Sequence, residues 1–463
     1  MQKSKNGDHF DFIVVGGGTA GNVVAGRLAE NPDASILVIE AGRGDTENVD
    51  MITNPSSAMD LRGSDYDWAY KTTMVRRDDY ERIEKPNTRG KVLGGSPSIN
   101  YFTWVPGCKS TFNKWAEFGG EEWSWDPLLH YLRKSATYHD DPGLYSPEFE
   151  RLGLGGPLDI SHAELPGELD DFRKRVTSAW ESRGYKVEDN IYDGEMNGLA
   201  HCCDTIYRGY RTGSYLFIKD KSSVTVLDNT YSKKLLIDAD RQVKGVSVIG
   251  PNTGQEQTFY ATREVVISQG VYESPKLLML SGIGPKTQLT RYGIDTLVDS
   301  RHVGQNMVDH PGVPFVLRVK DGYGTDDHLL RKGAKFDAAV KHYEDSKSGP
   351  KASGLLELVG FPRIDEYLEK DPVYRERKAA NGGKDPFSPE GQPHFELEFV
   401  AMFGSAFQWH HLVPKEGNYI TVVVDLVRPA SSPGEVTLQS NDPLVQPAIN
   451  LNFFADDRHH CCA

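Results

Sequence analysis

The chain has 463 residues and a formal net charge of −14, and its length suggests two or three compact units rather than one small core. The acidic balance argues against binding to nucleic acid or to an anionic membrane surface, because both need clustered Lys and Arg. The polar N-terminus and the lack of a long apolar run predict a cytoplasmic protein without a signal peptide or membrane span. Five cysteines, four of them in adjacent pairs, indicate reduced thiols rather than a disulfide framework.

The first predicted elements form a βαβ unit around a glycine turn. A short apolar strand over 11–15 leads into the turn Gly16-Gly17-Gly18-Thr19-Ala20-Gly21. A helix is predicted over 19–30, and a second buried strand over 35–39 ends at Glu40. This order of strand, glycine turn, helix and strand is typical of a dinucleotide-binding site.

Three glycines of this turn have a physical task. Gly16 permits the tight turn, Gly18 lets the backbone approach a pyrophosphate, and Gly21 lets the helix lie close to the strand. The helix N-terminus presents free N–H groups to the phosphates. Glu40 is placed to accept hydrogen bonds from both ribose hydroxyls, which disfavours NADP but does not separate NAD from FAD.

A second glycine segment runs over 89–100, with Gly94 and Gly95 followed by hydroxyl and amide side chains. Adjacent glycines allow such a loop to press its backbone against a flat ligand. Ser96 and Asn100 are candidates for hydrogen bonds to phosphate or to a ring edge. The apolar stretch that follows, over 101–105, indicates that this loop is not a surface hairpin.

A third glycine segment runs over 263–285. Its first part predicts a central strand over 265–268. Ser274 suits a helix N-cap, Pro275 the first helical turn and Gly282 the C-terminal glycine. A strand that ends in glycine before a helix is typical of places where a parallel sheet meets a ligand. Further on, the pattern over 416–427 predicts another strand.

Together these segments resemble the glucose–methanol–choline (GMC) family of flavoprotein oxidoreductases. The resemblance rests on the glycine turn with Glu40, on 90–100 and on 274–284, with support from Asp67-Trp68-Ala69-Tyr70, 303–311 and 434–443. It implies an α/β, Rossmann-like FAD-binding domain over 8–310, with an excursion near 140–200 that contributes to the substrate side. It also implies an α+β substrate domain with an antiparallel sheet, present in part over 311–457. The tail over 458–463 is atypical.

The resemblance also implies non-covalent FAD and its contacts. Asn100 stands where some members carry a histidine covalently joined to the flavin, and Pro97 departs from the usual small or hydroxyl residue. Ser232 stands where the family uses a backbone amide and carbonyl on the adenine. The residues expected to hold FAD are Gly16, Gly18, Thr19, Ala20, Gly21, Glu40, Gly94, Ser96, Asn100, Tyr101, Thr103 and Ser232.

The implied activity is oxidation of a primary or secondary alcohol, a small molecule, by hydride transfer to flavin N5. Such a reaction needs a base for the hydroxyl proton. The family supplies a histidine pair from a last segment that we expect to lie beyond residue 463, so no catalytic residue is assigned. His310 is expected to be structural, and His410 and His411 are minor candidates for the base.

Two alternatives stay open at this point. One is a catalytically impaired remnant of a longer flavoprotein, and the other is a non-redox, cyclase-like member of secondary metabolism, because function lies in the site and not in the fold. No metal site is expected, since four adjacent residues over 459–462 cannot all reach one ion. The substrate, the choice between oxidase and dehydrogenase, and the oligomeric state are not readable.

Overall fold

The computed structural model describes residues 4–74, 84–139, 147–162, 167–188, 190–405, 407, 411–428 and 433–453. The tail over 458–463 and His410 lie outside the described residues. Among the helices of the described ranges, each is too short or too polar to cross a bilayer.

The strands belong to several sheets and are numbered along the chain. They are β1 (His9–Val15), β2 (Ile36–Ile39), β3 (Tyr70–Thr73), β4 (Glu84–Asn87), β5 (Ala136–His139), β6 (Leu158–His162), β7 (Leu199–His201), β8 (Cys203–Asp204), β9 (Ile206–Tyr207), β10 (Tyr210–Arg211), β11 (Val224–Leu227), β12 (Tyr231–Ile237), β13 (Val243–Ile249), β14 (Glu256–Ile267), β15 (Ile283–Gly284), β16 (Val298–Asp299), β17 (Gly312–Val319), β18 (Leu358–Gly360), β19 (Phe395–Val400), β20 (Asn418–Leu426), β21 (Glu435–Thr437) and β22 (Ala448–Asn450).

The helices are mostly short and lie between the strands. They are α1 (Thr19–Leu28), α2 (Asp50–Thr53), α3 (Lys109–Asn113), α4 (Ala116–Gly119), α5 (Trp125–Lys134), α6 (Asp170–Glu181), α7 (Gly270–Leu280), α8 (Lys286–Arg291), α9 (Ala334–Ser346), α10 (Asp365–Leu368) and α11 (Pro372–Ala380).

The central sheet has six strands in the order β11-β2-β1-β14-β13-β12. The first four are parallel, and β13 and β12 continue the sheet with antiparallel pairing. All four residues of β2 are buried, as are the last three of β1, because a parallel strand inside such a sheet is covered on both faces. The predicted strands over 11–15, 35–39 and 265–268 are confirmed, and the N-terminal unit is an α/β dinucleotide-binding fold.

A second sheet has five antiparallel strands in the order β17-β20-β19-β18-β7. Because side chains alternate along β19, Phe395, Leu397 and Phe399 share one face, and Leu397 and Phe399 pack there against Trp180 of α6. The opposite face carries Glu396 and Glu398. This sheet confirms the predicted α+β unit with an antiparallel sheet, and β20 confirms the strand predicted over 416–427.

A small third sheet links distant parts of the chain. Its order is β21-β22-β3-β4, and β22 pairs in parallel with β3. Residues 449–450 of β22 therefore pair with residues 72–73 of β3 in the N-terminal part. Strand β7, at the end of the predicted excursion near 140–200, joins the five-stranded sheet. The division at residue 311 stays a prediction.

The helix of the third glycine segment begins earlier than the sequence predicts. Ser274 was expected as its N-cap, but α7 begins at Gly270, with Gln269 as the N-cap and Pro275 inside the helix. The reason is that Gly270 adopts a φ of 79°, which turns the chain from β14 directly into the helix. The Ser274 hydroxyl instead accepts a hydrogen bond from the N–H of Gln269 at 3.0 Å. Gly282, at φ 84°, follows the helix end as predicted.

Candidate functional site: a dinucleotide cavity at the ends of the parallel strands

A cavity of about 510 Å³ lies where β1, β2 and β14 end. Its walls come from the glycine turn after β1, the second glycine segment, the start of β12 and the first turn of α7. The carboxyl ends of parallel strands are the usual ligand edge of such a sheet, and the volume is that of a small-molecule site. Seven of the predicted cofactor residues line it: Gly16, Gly18, Thr19, Ala20, Glu40, Ser96 and Ser232.

The glycine turn has the geometry that a pyrophosphate needs. Gly16 has a φ of 104°, and a Cβ there would lie 2.6 Å from the carbonyl oxygen of Ser268. At Gly18 a Cβ would meet only the Gly95 Cα, at 3.8 Å, so the space over Gly18 is open to a ligand. Thr19 and Ala20 are exposed, and their N–H groups belong to the first turn of α1, where no intrahelical acceptor exists.

Gly21 has a packing role instead. A Cβ at Gly21 would lie 2.0 Å from the carbonyl oxygen of Gly16, so only glycine lets α1 lie this close to the end of β1. Gly21 is buried and does not line the cavity.

Glu40 is buried at the cavity wall and holds two backbone segments together. Its Oε2 accepts from the N–H of Gly17 at 3.0 Å, and its Oε1 accepts from the N–H of Gly42 at 2.8 Å. Burial raises the pKa of Glu40 to about 7, while the hydrogen bonds from Gly42 and Gly17 oppose the rise. Contacts to ribose hydroxyls stay a prediction for this carboxylate.

The second glycine segment forms a tight turn against the first. Gly94 and Gly95 adopt φ values of 101° and 66°, and the N–H of Gly94 donates to the carbonyl oxygen of Gly17 at 2.7 Å. A Cβ at Gly95 would lie 2.8 Å from the Cα of Gly18. A short 3-10 turn, Ser96–Ser98, follows, and Pro97 suits it because the turn does not need a Pro97 N–H.

Gly94, Asn100, Tyr101 and Thr103 do not line this cavity. The Asn100 Oδ1 accepts from the N–H of Phe102 at 3.1 Å and from the Arg211 guanidinium at 2.9 Å. The Tyr101 ring packs against Phe407, with centroids 5.9 Å apart. Thr103 forms a β-bridge with Asp204, which joins the loop to β8. The proposed flavin contacts of these residues stay predictions.

An aromatic wall closes one side of the cavity, and sequence reasoning did not assign it to the site. The rings of Trp68 and Tyr70 stack with centroids 5.5 Å apart, and Tyr231 meets Trp68 edge-on at 5.3 Å. Tyr272 meets Tyr70 in the same way at 5.2 Å. Only Trp68 and Tyr70 carried a sequence signal, since they form part of the 67–70 motif.

Gln269 also lines the cavity and was not predicted. Its Nε2 donates to the Ser232 Oγ at 2.8 Å, whereas its buried Oε1 has no hydrogen-bond partner among the described residues. A buried acceptor of this kind needs a donor, such as a hydroxyl or amino group of a ligand. The open space at Gly18, the first turn of α1 and this acceptor together fit a dinucleotide.

Beneath the aromatic wall lies a buried charged network. Glu273 accepts from the Tyr70 hydroxyl at 2.7 Å and from Lys276 Nζ at 3.0 Å. Lys276 also donates to the carbonyl oxygen of Pro443 at 2.8 Å. Because each charge is paired and hydrogen-bonded, the network fixes α7 against the cavity without adding a free charge.

The face of the five-stranded sheet that looks towards Tyr101 is acidic. Burial, with repulsion from Asp425, raises the pKa of Glu396 to about 7. Burial, with repulsion from Glu396 and Asp425, raises the pKa of Glu398 to about 8. Glu398 in turn adds to the raised pKa of Tyr101, whose main cause is burial. This face therefore retains protons near neutral pH.

Two of the histidines considered as bases, His310 and His411, are not among the residues that line the cavity. His310 is exposed, and its N–H donates to Asp309 Oδ1 at 2.9 Å. His411 is exposed as well. The structural role expected of His310 stays a prediction.

Asp365, Asp385 and His394 bring their ligand atoms within 4.8 Å of one another. The Arg363 guanidinium donates to Asp365 at 2.9 and 2.8 Å and to Asp385 at 2.8 Å. Burial acts to raise the pKa of Asp385, but hydrogen bonds from His394 and from backbone N–H groups hold it at about 2. The group is an arginine-centred structural network rather than a metal-ligand set.

The fold and the cavity define a dinucleotide-dependent oxidoreductase of the flavoprotein type. Residues 10–312 match the family model of the GMC oxidoreductases, described for their N-terminal domain. A glucose methanol choline oxidoreductase of Aspergillus terreus is 31% identical over 472 residues, which cover 96% of this chain and 73% of the relative. The chain belongs to the GMC oxidoreductase family, and its cofactor is FAD.

Two solved formate oxidase structures are more similar to this chain in sequence than the Aspergillus terreus relative is. A formate oxidase structure superposes with a TM-score of 0.95 at 68% identity, over 98% of this chain and 79% of that one. An arginine-to-lysine variant of the Aspergillus oryzae formate oxidase, studied for FAD modification, gives a TM-score of 0.96 at 68% identity, over 99% of this chain and 79% of that one.

Proposed function

We propose that this chain is an FAD-dependent oxidase that acts on formate. The observation that carries the proposal is the likeness to formate oxidase, at 68% identity over 98% of the chain. The curated relative from Aspergillus terreus is far more distant, at 31% identity. Because side chains that shape a pocket decide specificity, the nearer of these two relatives is the better guide to the substrate.

The chemistry of formate also removes a difficulty of the alcohol hypothesis. An alcohol must lose a hydroxyl proton to a base as its carbon loses hydride. The formate ion has no hydroxyl proton, so loss of hydride from its carbon gives CO₂ directly. A mechanism without a histidine base is therefore consistent with the exposed positions of His310 and His411.

The residues of this chain provide binding and orientation. The chemistry that FAD would supply when bound is two-electron acceptance with O₂ as the final acceptor, so that formic acid and O₂ would give CO₂ and H₂O₂. The turn after β1 and the first turn of α1 would hold the pyrophosphate, and the Gly94–Ser98 turn is packed against the turn after β1.

The test is reduction of the FAD-loaded protein without oxygen. We expect formate to bleach the visible flavin absorbance and to release CO₂, and we expect formate deuterated at carbon to act several-fold more slowly. Benzyl alcohol and glucose serve as alcohol donors in matched samples. Bleaching by an alcohol but not by formate would overturn the proposal and restore the alcohol hypothesis. FAD that stays oxidised with every donor would favour a non-redox function.

A further inference from the structure

Arg211 is a buried arginine that forms hydrogen bonds with the second glycine segment. It lies at the end of β10 and is 2% exposed. Its Nε donates to the carbonyl oxygen of Ile52 at 2.9 Å, and one Nη donates to that of Pro97 at 2.8 Å. Two more bonds, each of 2.9 Å, reach the Oδ1 and the carbonyl oxygen of Asn100. A single side chain thus holds both ends of the turn over 97–100.

All of these acceptors are uncharged. Among the described residues no carboxylate forms an ion pair with Arg211, and its guanidinium lies instead 3.9 Å from the ring centroid of Phe102. Burial lowers the pKa of Arg211 to about 9, which still leaves the group charged at neutral pH. Arg173 differs, since it is buried too but pairs with Glu357 at 3.0 Å. A buried cation without a counter-ion is costly and calls for a functional reason.

The backbone that Arg211 holds is strained. Phe102 has a φ of 75°, a left-handed conformation that is rare for a bulky residue. Its N–H donates to the same Asn100 Oδ1 that accepts from Arg211. Strain of this kind persists only where the surroundings fix it, and it is concentrated at functional sites.

Gly95 and Ser96, which directly precede the turn over 97–100, line the cavity. Gly95 lies directly against Gly18, since a Cβ at Gly95 would be 2.8 Å from the Gly18 Cα. Displacement of the turn over 97–100 would therefore change the cavity wall itself. The charge of Arg211 lies in the protein interior, where charges are weakly screened.

We propose that Arg211 is a positioning residue for FAD, which fixes the Gly94–Phe102 loop through its hydrogen bonds and favours the reduced cofactor through its unneutralised charge. FAD gains negative charge on reduction, so a buried positive charge beside the loop raises its reduction potential. The two effects are separable, because lysine keeps the charge but cannot reproduce the planar set of donors.

The test compares Arg211→Met and Arg211→Lys with Arg173→Met as the control for loss of a buried arginine. FAD affinity is measured by titration of the apo-protein, the midpoint potential by equilibration with a redox dye, and folding by circular dichroism. We expect both Arg211 variants to bind FAD at least tenfold more weakly. Only Arg211→Met should shift the potential to a more negative value. Arg173→Met should lose stability and leave the potential unchanged.

Two results would overturn the proposal. The first is an FAD affinity that neither Arg211 variant changes, and the second is a potential that Arg211→Met leaves unmoved or that Arg211→Lys lowers equally. If Arg211→Met does not fold, Arg211→Gln replaces it as the variant without the charge and should lower the potential in the same way. Asn100→Leu is a second geometric variant beside Arg211→Lys. It removes the shared acceptor and keeps the charge, so it should weaken FAD binding without moving the potential. A lowered potential in Asn100→Leu would count against the charge effect.

Discussion

The carboxylate of Glu40 accepts a hydrogen bond from the backbone N–H of Gly17 at 3.0 Å, so the end of β2 holds the glycine turn that follows β1. Its other oxygen accepts from Gly42 at 2.8 Å. Glu40 therefore stabilises the glycine turn and also lines the cavity. Hydrogen bonds to ribose would add to this role rather than replace it.

Replacement of Glu40 should accordingly weaken FAD binding. In Glu40→Gln one of the two backbone N–H groups would face the amide NH₂, a donor against a donor. We expect the FAD dissociation constant to rise about tenfold, or about 1.4 kcal/mol. Glu47→Gln is the matched control, because Glu47 is 45% exposed and pairs with Lys219 at the surface. Titration of both apo-proteins with FAD checks the prediction, and equal affinities in the two variants would contradict it.

Two glycines of the same turn should respond differently to alanine. Gly18→Ala should fold normally and bind FAD at least tenfold more weakly, about 1.4 kcal/mol, because its Cβ points into open space in the cavity. Gly21→Ala should lower the free energy of unfolding by about 3 kcal/mol, because its Cβ would collide with the carbonyl of Gly16. Urea unfolding and FAD titration of both variants separate the two roles. Loss of stability in Gly18→Ala with full FAD affinity would refute the assignment.

A feature of the site could be predicted from the sequence only where the residues that determine it lie close together in the chain. The glycine turn, α1 and Glu40 were readable because each has a local steric or helix-terminus requirement within a single βαβ unit. The parallel strands were readable from their apolar runs, and β20 from its β-branched residues.

The rest of the site depends on tertiary contacts. Gln269 and Tyr231 reach the cavity only because β14 and β12 lie in one sheet. Arg211 reaches Asn100 across 111 residues of chain, and no local pattern marks it. The start of α7 was misplaced because Ser274 and Pro275 suit a helix start, while the φ of Gly270 is set by the turn out of β14.

The acidic face of the five-stranded sheet predicts a pH-dependent stability. Burial raises the pKa of Glu398 in the folded state to about 8, above the ordinary value of 4.5, so the folded state binds this proton more tightly than the unfolded state. The contribution of Glu398 to the free energy of unfolding is therefore greatest below pH 4.5 and falls as the pH rises towards 8. Glu398→Gln should raise the free energy of unfolding by about 2 kcal/mol at pH 9 and change it little at pH 5.

Denaturant unfolding at the two pH values measures this difference. Glu181→Gln, which changes an exposed glutamate of α6, is the control and should have no effect at either pH. A Glu398→Gln variant that is stabilised equally at both pH values would contradict the assignment of the raised pKa to this group.

The family resemblance of the sequence places Asn100 where some members carry a histidine joined to the flavin, and it therefore predicts non-covalent FAD. Precipitation of the FAD-loaded protein with acid should release all of the flavin into the supernatant, as measured by its absorbance. Replacement of Asn100 by histidine is not expected to create the bond by itself, because Asn100 is held by Arg211 at 2.9 Å. Flavin that stays with the precipitate would contradict the prediction.

The central claim is that FAD lies across the N-terminus of α1, with its pyrophosphate between the two glycine turns. A crystal structure of this chain with FAD tests it most directly. We expect pyrophosphate oxygens within hydrogen-bond distance of the Thr19 and Ala20 N–H groups, and the adenosine end beside Glu40 and Ser232. A pyrophosphate that lies away from Gly18, or a cofactor bound in the opposite direction, would contradict it.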